Sequence, residues 1–422
     1  LTDYVLSQTI MLDPSRKFYV PDQVLEVTMA IKANDVPALG YVQYSIDTQK
    51  DSHKETADKK VLENKYYTIE VEENGSLTIV DKANNVTYKN QGILVENGDD
   101  GDSFNYSPPR KDMEVFSNES KCTVKISGSD IYDQAEIHFD MVVPADLDER
   151  AEGKVSVTML VDMTVALRKD SKVIDFNVKV DNKGLSHRLC VLFDSQIVSA
   201  FNYADQQFGL IKRPNYYEKE MKLYMESMNN KTEKKAGIQE LANWANDQST
   251  WQEPPISIEP TQSYVSLTDG KTGIAVIPQG VREYEVLDDS KIRLTLFRTY
   301  GFMGKENLIY RPGRASGERI IETPAAQLLK EMEFNFGFTS YAGDINDSDI
   351  DTLAKQYNTN LEVYTYAEFL NGRLIFSQRE IEGQNAKIHS LFETEGNLVV
   401  SAVKKAEEDD GYIIRLYNGK DH

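Results

Sequence analysis

The sequence predicts an all-β fold: a large antiparallel super-sandwich flanked by smaller β-sandwich modules, with few helices. Three observations predict it. The apolar residues Val157, Met159, Val161, Met163, Val165 and Leu167 occupy every second position, the signature of a long strand with one face on a core. Residues Arg168 to Lys172 read as a hairpin turn, and Ile174, Phe176, Val178 and Val180 alternate again on the way back. Towards the other end, Met332, Phe334, Phe336 and Phe338 alternate with Glu331, Glu333, Asn335 and Gly337. Strands this long in a chain of 422 residues favour a large sandwich over a small barrel.

The remaining elements follow in chain order. DTQKDSHKETADKK, at 47–60, is charged and lacks apolar periodicity, so it reads as a linker or exposed loop. Met221, Tyr224, Met225 and Met228 fall at helical spacing, and Ile238, Leu241 and Ala245 continue the stripe towards Trp244. Such methionines ordinarily serve packing. GDINDSDID, at 343–351, is a second break, and behind the cap candidate Ser348 the residues Ile350, Leu353, Ala354 and Tyr357 repeat the helical pattern. The breaks divide the chain into an N-terminal β module with its linker (1–60), a central β super-sandwich (61–343) and a C-terminal β module (344–422).

Composition narrows the function. A net charge of −21 argues against nucleic acid and anionic membrane as partners, because both demand clustered Lys and Arg. No apolar run is long enough to span a bilayer. Cys122 and Cys190 are too few for a disulfide scaffold and fit a reducing, cytoplasmic compartment. The opening LTDYVLSQTI has neither an initiator Met nor a basic-then-apolar leader, so the chain reads as a fragment rather than a secreted precursor.

Motifs that carry chemistry are scarce. The histidines His53, His138, His187, His389 and His422 are scattered singly, and no HExxH or paired CxxC spacing offers a metal site. The acidic loop with Asp99, Asp100 and Asp102 lacks the spacing of a calcium loop and reads as a non-metal loop. No nucleophile elbow, Walker loop or dinucleotide fingerprint occurs. With 68 acidic residues, pairing carboxylates by eye carries no information. Two loops do stand out: GDSFNYSPP at 101–109, and Leu294 to Glu318, where Arg298, Arg311 and Arg314 are separated by Gly and Pro. Aromatic faces suit the C–H faces of a sugar, and arginine forks suit hydroxyl pairs or a carboxylate. The alternative is that Pro and Gly close turns while the arginines pair with local acids.

Several motifs in order carry a resemblance over nearly the whole chain. They are DVPALGYVQY (35–44), LENKYYTIEVEENGSLTIVDKANNVTY (62–88), GDSFNYSPP (101–109), DNKGLSHRL (181–189), EPTQSYVSLTDGKTGIAVIPQGVREYEV (259–286), LTLFRTYG, RPGRASG and TPAAQ (323–327). Together they resemble the C-terminal half of the α-mannosidases of glycoside hydrolase family 38. The resemblance implies a galactose-mutarotase-like super-sandwich. It also implies that the carboxylate nucleophile and a zinc held by two His and two Asp belong to an N-terminal barrel absent from this sequence. No catalytic residue, metal ligand or cofactor is then expected on this chain, with zinc expected in the full-length retaining enzyme.

By the same resemblance, the substrate-binding candidates are Phe104, Tyr106, Arg311 and Arg314, with Asp102 and Arg298 beside them. The expected partners are the missing N-terminal catalytic domain and a mannose-containing oligosaccharide, with a homo-oligomer as a further possibility. The isolated chain is expected to bind no zinc and to hydrolyse no aryl α-mannoside, and a contiguous apolar patch or a non-native oligomer contact is expected on the side bearing residues 101–110. Two alternatives remain: a free-standing mutarotase-like epimerase, for which His138 or His187 would need a Glu partner, and a carbohydrate-binding module.

Overall fold

Alternation in the sequence becomes burial in the fold. In the strand Val157–Arg168, Met159, Val161, Met163, Val165 and Leu167 are fully buried, and in Ile174–Asp181 so are Ile174, Phe176, Val178 and Val180. The two pair antiparallel across the predicted turn, with Val165 opposite Phe176. The computed structural model describes residues 32–44, 56–57, 59–230, 253–311, 320–363, 388–392 and 398–419.

Among these residues the strands form ten-, six- and four-stranded sheets and three two-stranded ribbons, antiparallel throughout. The ten-stranded sheet runs in the order Gly209–Pro214, Phe201–Gln206, Val265–Thr268, Thr272–Gln279, Glu331–Ala342, Ile174–Asp181, Val157–Arg168, Tyr132–Val143, Lys121–Gly128 and Thr56–Ala57. The six-stranded sheet runs Glu259–Pro260, Glu283–Leu287, Lys291–Arg298, His187–Asp194, Ile93–Gly98 and Val115–Phe116. Val61–Glu63, Tyr67–Val71, Leu77–Asp81 and Val86–Gln91 make the four-stranded sheet.

One continuous apolar core joins the three sheets. At its centre Phe193, from the six-stranded sheet, stacks on Phe338 at 5.3 Å and meets Phe176 edge-on at 5.4 Å, while Phe176 stacks on Phe336 at 5.2 Å. Burying rings of this kind contributes about 1.5–3 kcal/mol each, and their tilted and offset geometries add to that. The large super-sandwich is therefore the observed architecture.

Three α-helices occur among the described residues: Leu147–Glu152, Glu218–Asn230 and Ile350–Asn358. The first is capped by Asp146, whose side chain accepts from the N–H groups of Asp148 and Glu149, and it ends at Gly153 in the left-handed region (φ 70°). In the second, Tyr224 is buried, but Met221 and Met225 are exposed, so these two methionines do not serve packing there. Ile238, Leu241, Trp244 and Ala245 lie outside the described residues. The third buries Ile350 and Ala354 against Val173, Tyr264, Ala275, Ile277 and Tyr341. Its N-cap is Asp349 rather than Ser348. No helix among the described residues is long and apolar enough to cross a membrane.

The chain divides into two units. Residues 52–359 and 397–422 form one, and 1–51 with 360–396 the other. Within the second, Gly40–Val42 pairs with Ile388–Ser390. This division differs from the three modules drawn from the sequence, because 344–359 docks on the ten-stranded sheet and belongs with the large unit. The stretch 47–60 differs too. Thr56–Ala57 adds the edge strand of that sheet, and Lys59 reaches the buried Asp133 carboxylate at 2.5 Å.

Candidate functional site

Residues 99–112 leave the strand Ile93–Gly98 and return as Val115–Phe116, so the loop caps one end of the six-stranded sheet. Its backbone is tied at each step. The Asp99 N–H donates to Ser186 O at 2.9 Å, Asp100 to Ser107 O at 2.8 Å, Asp102 to Asn105 O at 3.0 Å and Ser103 to Phe302 O at 3.2 Å. Gly101 permits the tightest point, since a Cβ there would lie 2.0 Å from the Asn105 carbonyl oxygen.

Three carboxylates of this loop, Asp99, Asp100 and Asp102, each meet a cation from the end of the strand Lys291–Arg298 or the segment after it. Arg298 donates to both Asp99 oxygens, at 2.7 and 3.2 Å, and to the carbonyls of Asp102 and Asn105, at 2.9 and 2.8 Å. Lys305 Nζ pairs with Asp100, and Arg311 pairs with Asp102 while also donating to Asn105 Oδ1. Asp102 further accepts from the backbone N–H groups of Phe104, Asn105 and Lys305. Burial pushes its carboxyl up, but the Arg311 guanidinium and those three N–H donors outweigh burial and hold it below the ordinary carboxylate value. Arg298 and Arg311 thus pair with local acids. With its fork occupied and only 4 % exposed, Arg311 is not free to grip a ligand. Arg314 lies outside the described residues.

The two aromatics of the loop part company. Tyr106 turns inward and is 7 % exposed, its hydroxyl accepting from Asn97 Nδ2 at 3.0 Å and its ring covered by the Arg188 guanidinium at 3.8 Å. Phe104 turns outward and is 59 % exposed. Met303 and Ile321 are exposed as well. Phe302–Met303 binds this loop through Ser103 and pairs with Ile321–Glu322, which places Met303 opposite Ile321. Exposed apolar side chains of this ribbon therefore lie next to the loop.

Beneath the loop runs a buried polar network that the sequence did not reveal. His187 Nδ1 lies 2.9 Å from Glu96 Oε1 and its Nε2 2.9 Å from Asn182 Oδ1, while Arg150 pairs with the same Glu96 oxygen. Arg188 reaches Asn97 and Glu285, and Glu285 also pairs with Arg293. His187 and Glu96 stand 91 residues apart in sequence, so no local motif could have announced them.

Comparison with known proteins decides the family. The profile of the Glycosyl hydrolases family 38 C-terminal domain matches residues 62–302, more than half of the chain. The chain belongs to glycoside hydrolase family 38. A curated relative from Halalkalibacterium halodurans, described as "Putative mannosylglycerate hydrolase", is 24 % identical over 379 residues, covering 85 % of this chain and 36 % of the relative. A solved α-mannosidase from Enterococcus faecalis V583 is similar at TM-score 0.66 and 23 % identity, over 85 % of this chain and 36 % of that one. A second solved family 38 protein from Enterococcus faecalis gives TM-score 0.66 and 22 % identity, over 88 % and 40 %. The chain therefore spans little more than a third of the length of the curated relative it matches.

Among the described residues no three His, Cys, Asp or Glu side chains gather as a ligand set for zinc. The epimerase alternative needs an accessible His and Glu. His187 and Glu96 do meet, but both are fully buried and both ring nitrogens are engaged, so no sugar reaches them. His138 lies on the outer face of the ten-stranded sheet between two aspartates. Of the six substrate-binding candidates, Asp102, Arg298, Tyr106 and Arg311 act as internal struts, and Phe104 alone among the described ones presents itself to solvent.

Proposed function

We propose that the chain is the C-terminal β portion of a family 38 α-mannosidase. A domain outside these residues supplies the nucleophile and the zinc of a retaining hydrolysis, and this portion supports that domain and lends a loop to the substrate cleft. The observation that carries the reading is Phe104, an exposed ring on a loop whose every neighbouring carboxylate is tied down. A rigid platform costs little ordering on binding, and a bare ring can lie against the C–H face of a mannose and shed water from it. Phe104 moves no proton. The exposed Met303 and Ile321 on the neighbouring ribbon fit burial against the rest of the polypeptide.

The names of the similar proteins carry mannose as the glycosyl group, which supports an α-mannosidic bond; the mannosylglycerate name adds a small acidic aglycone to the substrates worth assaying. Cys122 and Cys190 are both free, which supports a cytoplasmic setting.

The test uses the full-length polypeptide. Phe104→Ala should lower kcat/KM for aryl α-mannoside and for mannosylglycerate by about 5–150-fold, or roughly 1–3 kcal/mol, without changing Tm. Phe104→Tyr should retain most of the activity. An unchanged kcat/KM in the alanine variant would reduce the loop tip to plain surface. Turnover or stoichiometric zinc in the 422-residue chain alone would place the chemistry on this portion and overturn the reading.

A further inference from the structure

The opposite end of the six-stranded sheet is built differently. There Ile93–Gly98 begins, His187–Asp194 ends and Lys291–Arg298 begins, and the strand ends enclose a cleft of about 370 Å³. That volume lies within the roughly 300–1,000 Å³ of small-molecule sites. Ile93 and Leu192, paired across adjacent strands, form apolar wall, and Phe116 contributes an aromatic one. Asn90, Asn118, Glu119, Asp194 and Lys291 supply the polar lining.

What separates these polar groups from those of the 99–112 loop is that the fold does not use them up. The side chains of Asn90 and Glu119 make no hydrogen bond or ion pair, and the amide oxygen of Asn118 is buried without a partner. Buried polar atoms are rarely left so. Asp194 spends one oxygen on the Gln196 N–H at 2.9 Å and keeps the other. Lys291 is steadied by Asp288 at 2.8 Å. The frame is nonetheless fixed. Asn90 and Gly92 sit in the left-handed region, at φ 57° and 72°, and the Gly92 N–H donates to Leu192 O at 3.0 Å, pinning the corner between the four- and six-stranded sheets.

The lining selects its ligand by chemistry. Two carboxylates beside one ammonium disfavour an anion, and Lys291 disfavours a cation. Amides that donate and accept, and carboxylate oxygens that accept, match a cluster of hydroxyls, while a phenyl face matches a ring of C–H bonds. We infer that this cleft binds a neutral hexopyranose unit of a glycan, with Phe116 against the ring and Asn118, Glu119 and Asp194 engaging its hydroxyls. The inference is independent of where hydrolysis takes place.

Titration of the intact 422-residue chain with D-mannose, D-glucose and glycerol tests it. Calorimetry should give saturable hexose binding with Kd in the range of about 1–10 mM, and glycerol should bind at least tenfold more weakly. Phe116→Ala and Glu119→Gln should each raise Kd about tenfold or more, while Phe208→Ala, which removes an exposed ring elsewhere, should leave it unchanged. Glu119 is exposed, so its variant keeps the test open should Phe116→Ala fold poorly. Absence of saturable hexose binding up to about 100 mM would overturn the inference. So would glycerol binding as tightly as mannose, or a loss of binding in Phe104→Ala with Phe116→Ala unaffected.

Discussion

The two ends of the six-stranded sheet pose the same physical problem and solve it in opposite ways. Each gathers carboxylates, amides, cations and an aromatic ring where strands stop. At the 99–112 end Asp99, Asp100 and Asp102 are matched by Arg298, Lys305 and Arg311, and of the two aromatics only Phe104 faces outward. At the other end a cleft of about 370 Å³ keeps Asn90, Asn118 and Glu119 unpaired. The difference teaches that density of polar residues in a sequence marks a place where the chain must be held, whereas capacity to bind depends on which groups remain unspent.

The largest effect that separates the ends is on stability. Removing one partner of a buried, hydrogen-bonded ion pair strands the other charge, at a cost of about 3–5 kcal/mol. Asp102→Ala and Arg311→Met should therefore each lower the unfolding free energy by about that amount in urea titrations, and a double variant should show strong coupling rather than addition. Asn118→Ala and Glu119→Gln, which break no internal bond, should stay within about 0.5 kcal/mol of wild type. Equal costs at both ends would erase the comparison.

Acid should also weaken this end. Asp102 has its carboxyl pK held below the ordinary value, so its contribution is fully present above the unfolded value of about 3.9 and is lost as pH falls through the lower folded value. Thermal melts between about pH 5 and 2 should show a fall in Tm for wild type that is blunted in Asp102→Ala, which has already lost the pair. Parallel curves for the two proteins would detach the loop from the acid response.

How far the sequence spoke depends on the range of the interaction. Alternation is local, so the strand Val157–Arg168 and its return were legible down to which side chains are buried. Sheet order is not local. Glu331–Ala342 sits between Thr272–Gln279 and Ile174–Asp181, a placement that no window of sequence contains. The same holds for the site. Both loops were visible as unusual, but partner choice among 68 acids was not, so Arg298 and Arg311 could be read as ligand forks until Asp99 and Asp102 were seen beside them. The cleft around Phe116 gave no signal at all, since its residues come from four separated stretches, each ordinary by itself.

The smallest effect calibrates what a polar cluster is worth when water already serves it. On the outer face of the ten-stranded sheet His138 Nδ1 lies 2.7 Å from Asp162 Oδ1 and its Nε2 3.2 Å from Asp140 Oδ1, with Lys121 pairing Asp140 at 2.8 Å. Hydrogen bonding to Asp162 raises the imidazole above its ordinary value, against a smaller opposing push from burial. The stabilisation is then complete below the unfolded value of about 6.5 and disappears as pH rises through the higher folded one. The side chain is 39 % exposed, so solvent screens most of the gain. His138→Asn should cost less than about 0.5 kcal/mol near pH 6 and nothing at pH 9, the reverse of the acid trend at Asp102. Chemical denaturation at the two pH values measures it. A cost above about 1 kcal/mol at pH 6 would mean that an exposed cluster on the sheet face holds the fold as firmly as the buried pairs beneath the loop, and the contrast between spent and unspent groups would need a different basis than burial.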